Sequence, residues 1–312
     1  MKKRRLLSVL LSTVVAAGIL GGCGKTEDSS AVNGEMITVT DRNGEVEVPK
    51  NPEKVVVLDY GSLDILDEIG VESVVGVPKN GIPEYLDKYE DEKYTDIGGV
   101  KEFNFETINE LDPDLIIIEG RQEDSLEELQ KIAPTVYLGS VGSDYLNSIK
   151  SNAKVLGEIF DKEKEVEEKL ANIDTRVNEI KAKVVDSNLN ALATMISDGS
   201  MSVYGAGSRF NIIYNELGFV PTDESIEVSN HGQSISYEYL AEKNPDYLFV
   251  IDKGAVTGSG TPAKDTVENE LVKTTDTYKN GNIVYVDSVA WYVGGAGFKA
   301  LDKMLDDVEN AL

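Results

Sequence analysis

One internal repeat constrains this chain more than any other feature. From Phe105 the sequence reads Glu106-Thr-Ile-Asn-Glu-Leu-Asp112-Pro113-Asp114-Leu-Ile-Ile-Ile-Glu119-Gly-Arg121; from Tyr237 it reads Glu238-Tyr-Leu-Ala-Glu-Lys-Asn244-Pro245-Asp246-Tyr-Leu-Phe-Val-Ile-Asp252-Lys253. The constant offset of 132 residues pairs Glu106 with Glu238, Pro113 with Pro245 and Arg121 with Lys253. Each copy reads as a short helix, a stop enforced by proline, and a strand apolar enough to be buried on both faces. A second pair, Asp67–Val71 and Asn215–Phe219, reads as a helix closing on Gly70 or Gly218 before the next strand. Two α/β halves of one plan follow.

Strands are expected at Lys54–Leu58, Val74–Val77, Leu115–Glu119 and Thr135–Leu138, and again at Leu189–Ile196, Ser202–Tyr204, Tyr247–Ile251 and Ile283–Val286. Helical stretches alternate with them, so the sheets should be mostly parallel. Between the halves, Val166, Leu170, Ile173, Val177, Ile180 and Val184 recur at three-and-four spacing, with Lys and Glu opposite and no Gly or Pro from Asp161 to Val185. That is one long amphipathic helix, a stiff bridge of roughly 37 Å at about 1.5 Å per residue. The expected organisation is a leader over 1–22, a tether over 23–35, an α/β lobe over 36–160, the bridge over 161–185 and a second lobe over 186–312. Open α/β sheets bind ligands beyond the carboxyl ends of their strands. The repeat therefore sets Arg121 and Lys253 at corresponding sheet edges facing one cleft.

The first residues are a targeting segment. Lys2, Lys3, Arg4 and Arg5 precede an apolar stretch from Leu6 to Leu20, too short for a hydrocarbon core of about 30 Å. Leu20-Gly21-Gly22-Cys23 and a polar run to Glu35 follow. Without residues 1–22 the chain has 26 basic against 56 acidic residues, which keeps an exported domain soluble and makes any local cluster of cations informative. Such a charge argues against nucleic-acid binding, which needs a basic face. One Cys rules out a disulfide framework and Cys-rich metal sites, and one His rules out zinc or manganese sites built on several imidazoles.

Leu20–Cys23 resembles the lipobox of bacterial lipoproteins, in which the cysteine is lipidated and becomes the N-terminus. Together with the two helix-Pro-Asp-strand units and the helical bridge, it makes the whole mature chain resemble the iron-siderophore and cobalamin class of periplasmic-type binding proteins. These are the extracellular receptors of ABC importers, and the likeness is greatest to the branch that takes ferric catecholates, including petrobactin-binding lipoproteins. The resemblance implies two Rossmann-like lobes joined by a long helix, no enzymatic activity, no intrinsic cofactor, a monomer, and a lipid-anchored place on the outer face of the cell membrane. It also implies an Fe(III)-siderophore ligand and partnership with permease and ATPase subunits. Arg121, Arg209, His231 and Tyr292 match the positions where that branch presents cations and iron ligands. Lys253 stands where arginine is more usual, which keeps the charge and loses a planar fork of donors. Glu106 and Glu238 match the family's permease-docking glutamates.

The same residues also have readings of their own. Arg209 lies in Gly205-Ala-Gly-Ser-Arg-Phe210, a glycine-rich turn opening a helix; it suits an anion, or is a surface arginine at a helix start. His231, in Ser229-Asn-His-Gly-Gln-Ser234, is a solvated loop side chain or a contact to a hard metal. Trp291 and Tyr292 precede a Gly-rich turn; they stack on catechol rings, offer a phenolate to iron, or pack under the last helix. No G-x-G-x-x-G, G-x-x-x-x-G-K-[ST] or G-x-S-x-G motif is present, and no aromatic sugar platform accompanies the acids. Haem and cobalamin remain as alternative ligands of the same fold.

Overall fold

The structure is a computed structural model describing residues 35–312 apart from 141, 230 and 259; the leader, Cys23 and the tether as far as residue 34 lie outside the described residues. A hairpin comes first, β1 (Met36–Asp41) antiparallel to β2 (Gly44–Pro49). The sequence reading passes over it, although the Asn43-Gly44 turn is a hairpin signal. The first sheet has the order β5-β4-β3-β6-β7, from β3 (Val55–Val57), β4 (Val74–Val77), β5 (Thr95–Asp96), β6 (Leu115–Ile118) and β7 (Thr135–Tyr137). All its neighbours are parallel. Its helices are α1 (Tyr60–Glu68), α2 (Phe105–Glu110), α3 (Leu126–Leu129) and α4 (Tyr145–Ile159), after which α5 (Glu163–Asp186) crosses to the second half.

The second sheet has the order β11-β9-β8-β12-β13, built from β8 (Asn190–Ser197), β9 (Ser200–Tyr204), β11 (Gln233–Ile235), β12 (Tyr247–Asp252) and β13 (Ile283–Tyr285), with β10 (Val220–Pro221) beside β8. The pairs β8–β10, β8–β12 and β12–β13 are parallel, so this sheet too is mostly parallel, and β9 alone is reversed, antiparallel to both β8 and β11. The cause is local: Asp198 and Gly199 both have left-handed backbone, φ 50° and 75°, the two-residue turn that folds a chain straight back on itself. Helices α6 (Ile212–Asn215), α7 (Tyr237–Lys243), α8 (Lys253–Thr257), α9 (Ala263–Val267), α10 (Asp276–Lys279), α11 (Ser288–Tyr292) and α12 (Phe298–Glu309) complete the chain.

The repeated Pro-Asp unit has a structural role common to both halves. Asp112 and Asn244 take positive φ (48° and 39°) where α2 and α7 end, and the prolines that follow cannot continue either helix. The aspartate after each proline then ties down the neighbouring strand. Asp114 Oδ2 accepts from the backbone N–H of Glu53 and Lys54 at 3.0 and 2.9 Å, just before β3. Asp246 Oδ2 accepts from Asn190 N at 2.9 Å, at the start of β8. Each repeat thus fixes the register of two adjacent central strands, and with it the level at which their loops emerge.

Helix α5 buries the six apolar residues of the expected stripe. Its Arg176 meets Asp302, Asp306 and Glu309 of α12 at 2.6–2.8 Å, clamping the bridge to the last helix. One apolar core runs from Val55 and Leu115 of the first sheet through Leu156, Ile173 and Leu305 to Phe249 of the second. Separate clusters cover the other face of each sheet, Leu192 with Val250 and Val56 with Ile118. The described residues form one compact unit. Among the described residues no helix is long and apolar enough to cross a membrane.

Candidate functional site

A cavity of about 670 Å³ opens where the carboxyl ends of the two sheets face each other. That size is ordinary for a small-molecule site. Arg121 enters it from the turn after β6, and Arg209 from the turn between β9 and α6; His231, Trp291 and Tyr292 line it from the second half. The two halves touch at its edge, where Asn211 Nδ2 donates to Ser143 O at 3.0 Å. A Cβ on Gly142 would lie 3.0 Å from Arg209 Cα, so glycine lets these loops meet.

Arg209 is half-buried and forms no ion pair among the described residues. Its Nη2 donates to Tyr292 O at 2.5 Å, and its guanidinium lies 4.6 Å from the centre of the Tyr292 ring. Burial, and next the Arg121 guanidinium, lower its proton affinity. Two cations from opposite halves thus bear on one space, an arrangement that an anion relieves. The helix after Arg209 begins only at Ile212 and is a single turn, so the guanidinium and ring matter here more than a helix end.

Arg121 differs in being paired. Its Nη1 donates to Glu119 Oε1 at 2.8 Å, both side chains being about a quarter exposed at 29% and 21%. His231 is exposed on a loop laid against Tyr204: Gly232 has φ 72°, and a Cβ there would collide with the Tyr204 ring. Ser229 N–H donates to Ser208 Oγ at 3.3 Å, tying this loop to the Arg209 turn.

Trp291 and Tyr292 end the short helix α11, whereas the sequence alone indicates a strand end followed by a glycine-rich turn. They face different surroundings. The indole is 5% exposed, donates Nε1–H to Asp307 Oδ2 at 2.8 Å, and packs on Phe210 and Phe249. It forms floor, whereas Tyr292 is half-buried and carries Arg209 on its face.

Lys253 is not among the residues lining this cavity. It is the first residue of α8, whose cap is Asp252: Oδ1 accepts from Ala255 N at 3.0 Å and Oδ2 from Ala263 N at 2.7 Å. The repeat aligns it with Arg121, but β12 runs on through Asp252 while β6 stops at Ile118. Lys101, an exposed loop residue, lines the cavity instead, as do Glu119 and Tyr145. The Tyr145 hydroxyl donates to Gly295 O at 2.7 Å, and burial raises its proton affinity. No periodicity or motif marks Lys101. Glu119 was legible only as the end of an apolar run. Among the described residues no group of three or more His, Cys, Asp or Glu could hold a metal. Glu106 and Glu238 are exposed in the first turns of α2 and α7, whose caps are Asn104 and Ser236.

Two α/β halves around such a cleft, bridged by one helix, define a class of binding protein, and the comparison is direct: the chain belongs to the family described as periplasmic binding protein, which matches residues 55–290. It is 45% identical to the petrobactin-binding protein YclQ of Bacillus subtilis, over 100% of this chain and 99% of that one. The crystal structure of YclQ superposes with a TM-score of 0.86, covering 89% of this chain and 98% of that one at 46% identity. The periplasmic catecholate-siderophore binding protein VctP of Vibrio cholerae gives a TM-score of 0.84 at 38% identity, over 88% and 100%. A probable siderophore-binding lipoprotein of Bacillus subtilis, YfiY, is 30% identical over 99% of this chain and 98% of its own.

Proposed function

We propose that this protein is the substrate-binding component of an ABC importer, capturing a ferric catecholate siderophore of the petrobactin type in the cleft and delivering it to the permease. The observation that carries this reading is the convergence of Arg121 and Arg209, from opposite halves, on a cavity that also holds His231 and Tyr292. In a chain with 56 acidic residues, such a site is the place where a trianionic chelate is attracted rather than repelled. Charge-assisted hydrogen bonds of guanidinium to catecholate oxygen contribute about 1.5–3 kcal/mol each when partly desolvated. Where the siderophore leaves two iron positions open, the imidazole of His231 and the phenolate of Tyr292 fill them; the iron is cargo. No chemical step is involved, and one chain suffices. The likeness to YclQ and VctP, named for petrobactin and catecholate binding, supports the ligand class.

The Leu20–Cys23 segment supports lipidation of Cys23 and an anchor on the outer face of the cytoplasmic membrane, as in YfiY, which is named a lipoprotein. Cys23→Ala should move the protein from the membrane fraction to the medium; retention in the membrane would remove the anchor. For the ligand, intrinsic fluorescence is titrated with ferric petrobactin, ferric enterobactin, a neutral ferric hydroxamate, haem and cobalamin. Tight quenching by the anionic catecholates alone is expected. Equal affinity for the neutral hydroxamate, or preference for haem or cobalamin, would overturn the reading.

A further inference from the structure

Behind Arg121 lies a second, much smaller cavity of about 20 Å³, walled by Asp59, Ser62, Glu119, Arg121, Ser140 and Asn152. It has room for about one water and none for a siderophore. Arg121 and Glu119 belong to both spaces, so their ion pair is the partition between them. Asp59 caps α1, its Oδ1 accepting from Ser62 N at 2.7 Å, and is 5% exposed. Its Oδ2 is buried and has no hydrogen-bond partner. An orphaned carboxylate oxygen in a native interior is costly and needs a reason.

The neighbours narrow the reason. From α1, the Tyr60 hydroxyl is turned away to Asn80 O at 3.0 Å. From the turn after β6, Gln122 Nε2 is spent on Leu58 O at 3.2 Å and on Val100 O. Asn152 of α4 donates to Gly139 O at 3.3 Å. The charged groups that act on Asp59 are Glu119, against its ionisation, and Arg121, in favour of it. One guanidinium therefore balances two acidic groups, and it is the same guanidinium that an anionic ligand would recruit.

We infer that Asp59 and Glu119 are positioning residues for Arg121, and that this carboxylate pair takes up a proton from solvent when the ligand draws Arg121 away from Glu119. The inference rests on the anionic-ligand reading above. With Arg121 turned to catecholate oxygen, two closely placed carboxylates would face a trianion without a counter-charge, and a shared proton restores the balance. Burial first, and Glu119 next, already push Asp59 up to about 7, so little further change is needed for it to protonate near neutral pH. By linkage, a site that gains a proton on binding holds its ligand more tightly as pH falls.

The test is isothermal titration of the full chain in mild detergent with ferric petrobactin at pH 8, in buffers of different ionisation enthalpy, which counts protons taken up per ligand bound. Wild type should take up between about one half and one proton more than Asp59→Asn, and its affinity should rise about tenfold more between pH 8 and pH 6. Asparagine keeps the cap acceptor for Ser62, so the fold of α1 is retained. Glu119→Gln supplies a second variant and should likewise reduce the uptake. Proton changes of the siderophore itself are common to all three proteins and cancel. Equal uptake by wild type and both variants would overturn the inference while leaving the siderophore reading intact. Failure of ferric petrobactin to bind wild type would overturn that reading and the inference together.

Discussion

Asp64, buried in α1, accepts hydrogen bonds from the backbone N–H groups of Lys299 and Ala300 at 3.1 and 3.0 Å. A carboxylate of the first half thereby caps the N-terminus of α12, the helix that Arg176 clamps to the bridge. Gly297 stands directly before this helix, and a Cβ there would overlap the Asp64 carboxylate. Gly297→Ala must therefore displace Asp64, and Asp64→Ala must leave two donors unsatisfied at about 1–3 kcal/mol each where they are buried. Both variants should unfold at lower urea concentration than wild type, with Asp64→Ala costing several kcal/mol. A midpoint equal to wild type in either variant would show that this contact does not hold the helix.

The same carboxyl gives stability a pH dependence. Burial raises Asp64 from 3.8 to about 7, against the opposing hydrogen bonds from Ala300 and Lys299. A group whose proton affinity is higher in the fold than in the unfolded chain stabilises the fold fully below about pH 4, and that contribution is lost as pH rises through about 7. Asp64→Asn removes the titration. The variant should therefore gain on wild type by a few kcal/mol between pH 4 and pH 8 in urea unfolding followed across that range. A constant difference between the two proteins would mean that Asp64 titrates normally in the fold.

Sequence periodicity made the scaffold legible because its signals are one-dimensional. The α5 stripe needed only three-and-four spacing, and the Pro-Asp units needed only their offset. Asp198-Gly199 was equally visible, but in a chain read as alternating βα units its hairpin was passed over, and with it the antiparallel edge of the second sheet. The site was harder, since what lines a cleft depends on where each strand stops. Because β12 runs as far as Asp252, Lys253, the residue aligned with Arg121, falls in the first turn of α8 and not on the cavity lining. Lys101 reaches the cavity from a loop with no pattern at all, and no motif or periodicity marks Asp59, which the structure shows capping α1.

The cations of the cleft should therefore be unequal. Arg209 lines the cavity without a carboxylate partner, so Arg209→Ala should weaken ferric petrobactin binding by about one to two orders of magnitude, from one lost charge-assisted contact. Arg121 must first leave Glu119, and Arg121→Ala should cost less. Lys101→Ala should cost a few-fold, and Lys253→Ala less than Lys101→Ala, because Lys253 lies outside the lining. Fluorescence titration of the four variants ranks them. A loss in Lys253→Ala as large as in Arg209→Ala would return the third cation to Lys253 and require α8 to reorient around the ligand.

The repeat also aligns two acids far from the binding chemistry. Glu106 and Glu238 are the second residues of α2 and α7, exposed, and each follows a cap whose side chain already accepts from the helix: Asn104 from Glu106 and Thr107, Ser236 from Tyr239. A first-turn acid stabilises its own helix by a few tenths to about 1 kcal/mol, too little for its loss to unfold the protein. We propose that these two acids, one on each half, dock on basic residues of the permease. Glu106→Ala with Glu238→Ala should abolish uptake of iron-55 as ferric petrobactin by intact cells, while the affinity of the purified protein stays as in wild type. Each single variant should transport at an intermediate rate, since half of the contact remains. Normal uptake by the double variant would confine both residues to helix capping, and lost affinity in the purified protein would mean that they act on the cleft and not on the permease.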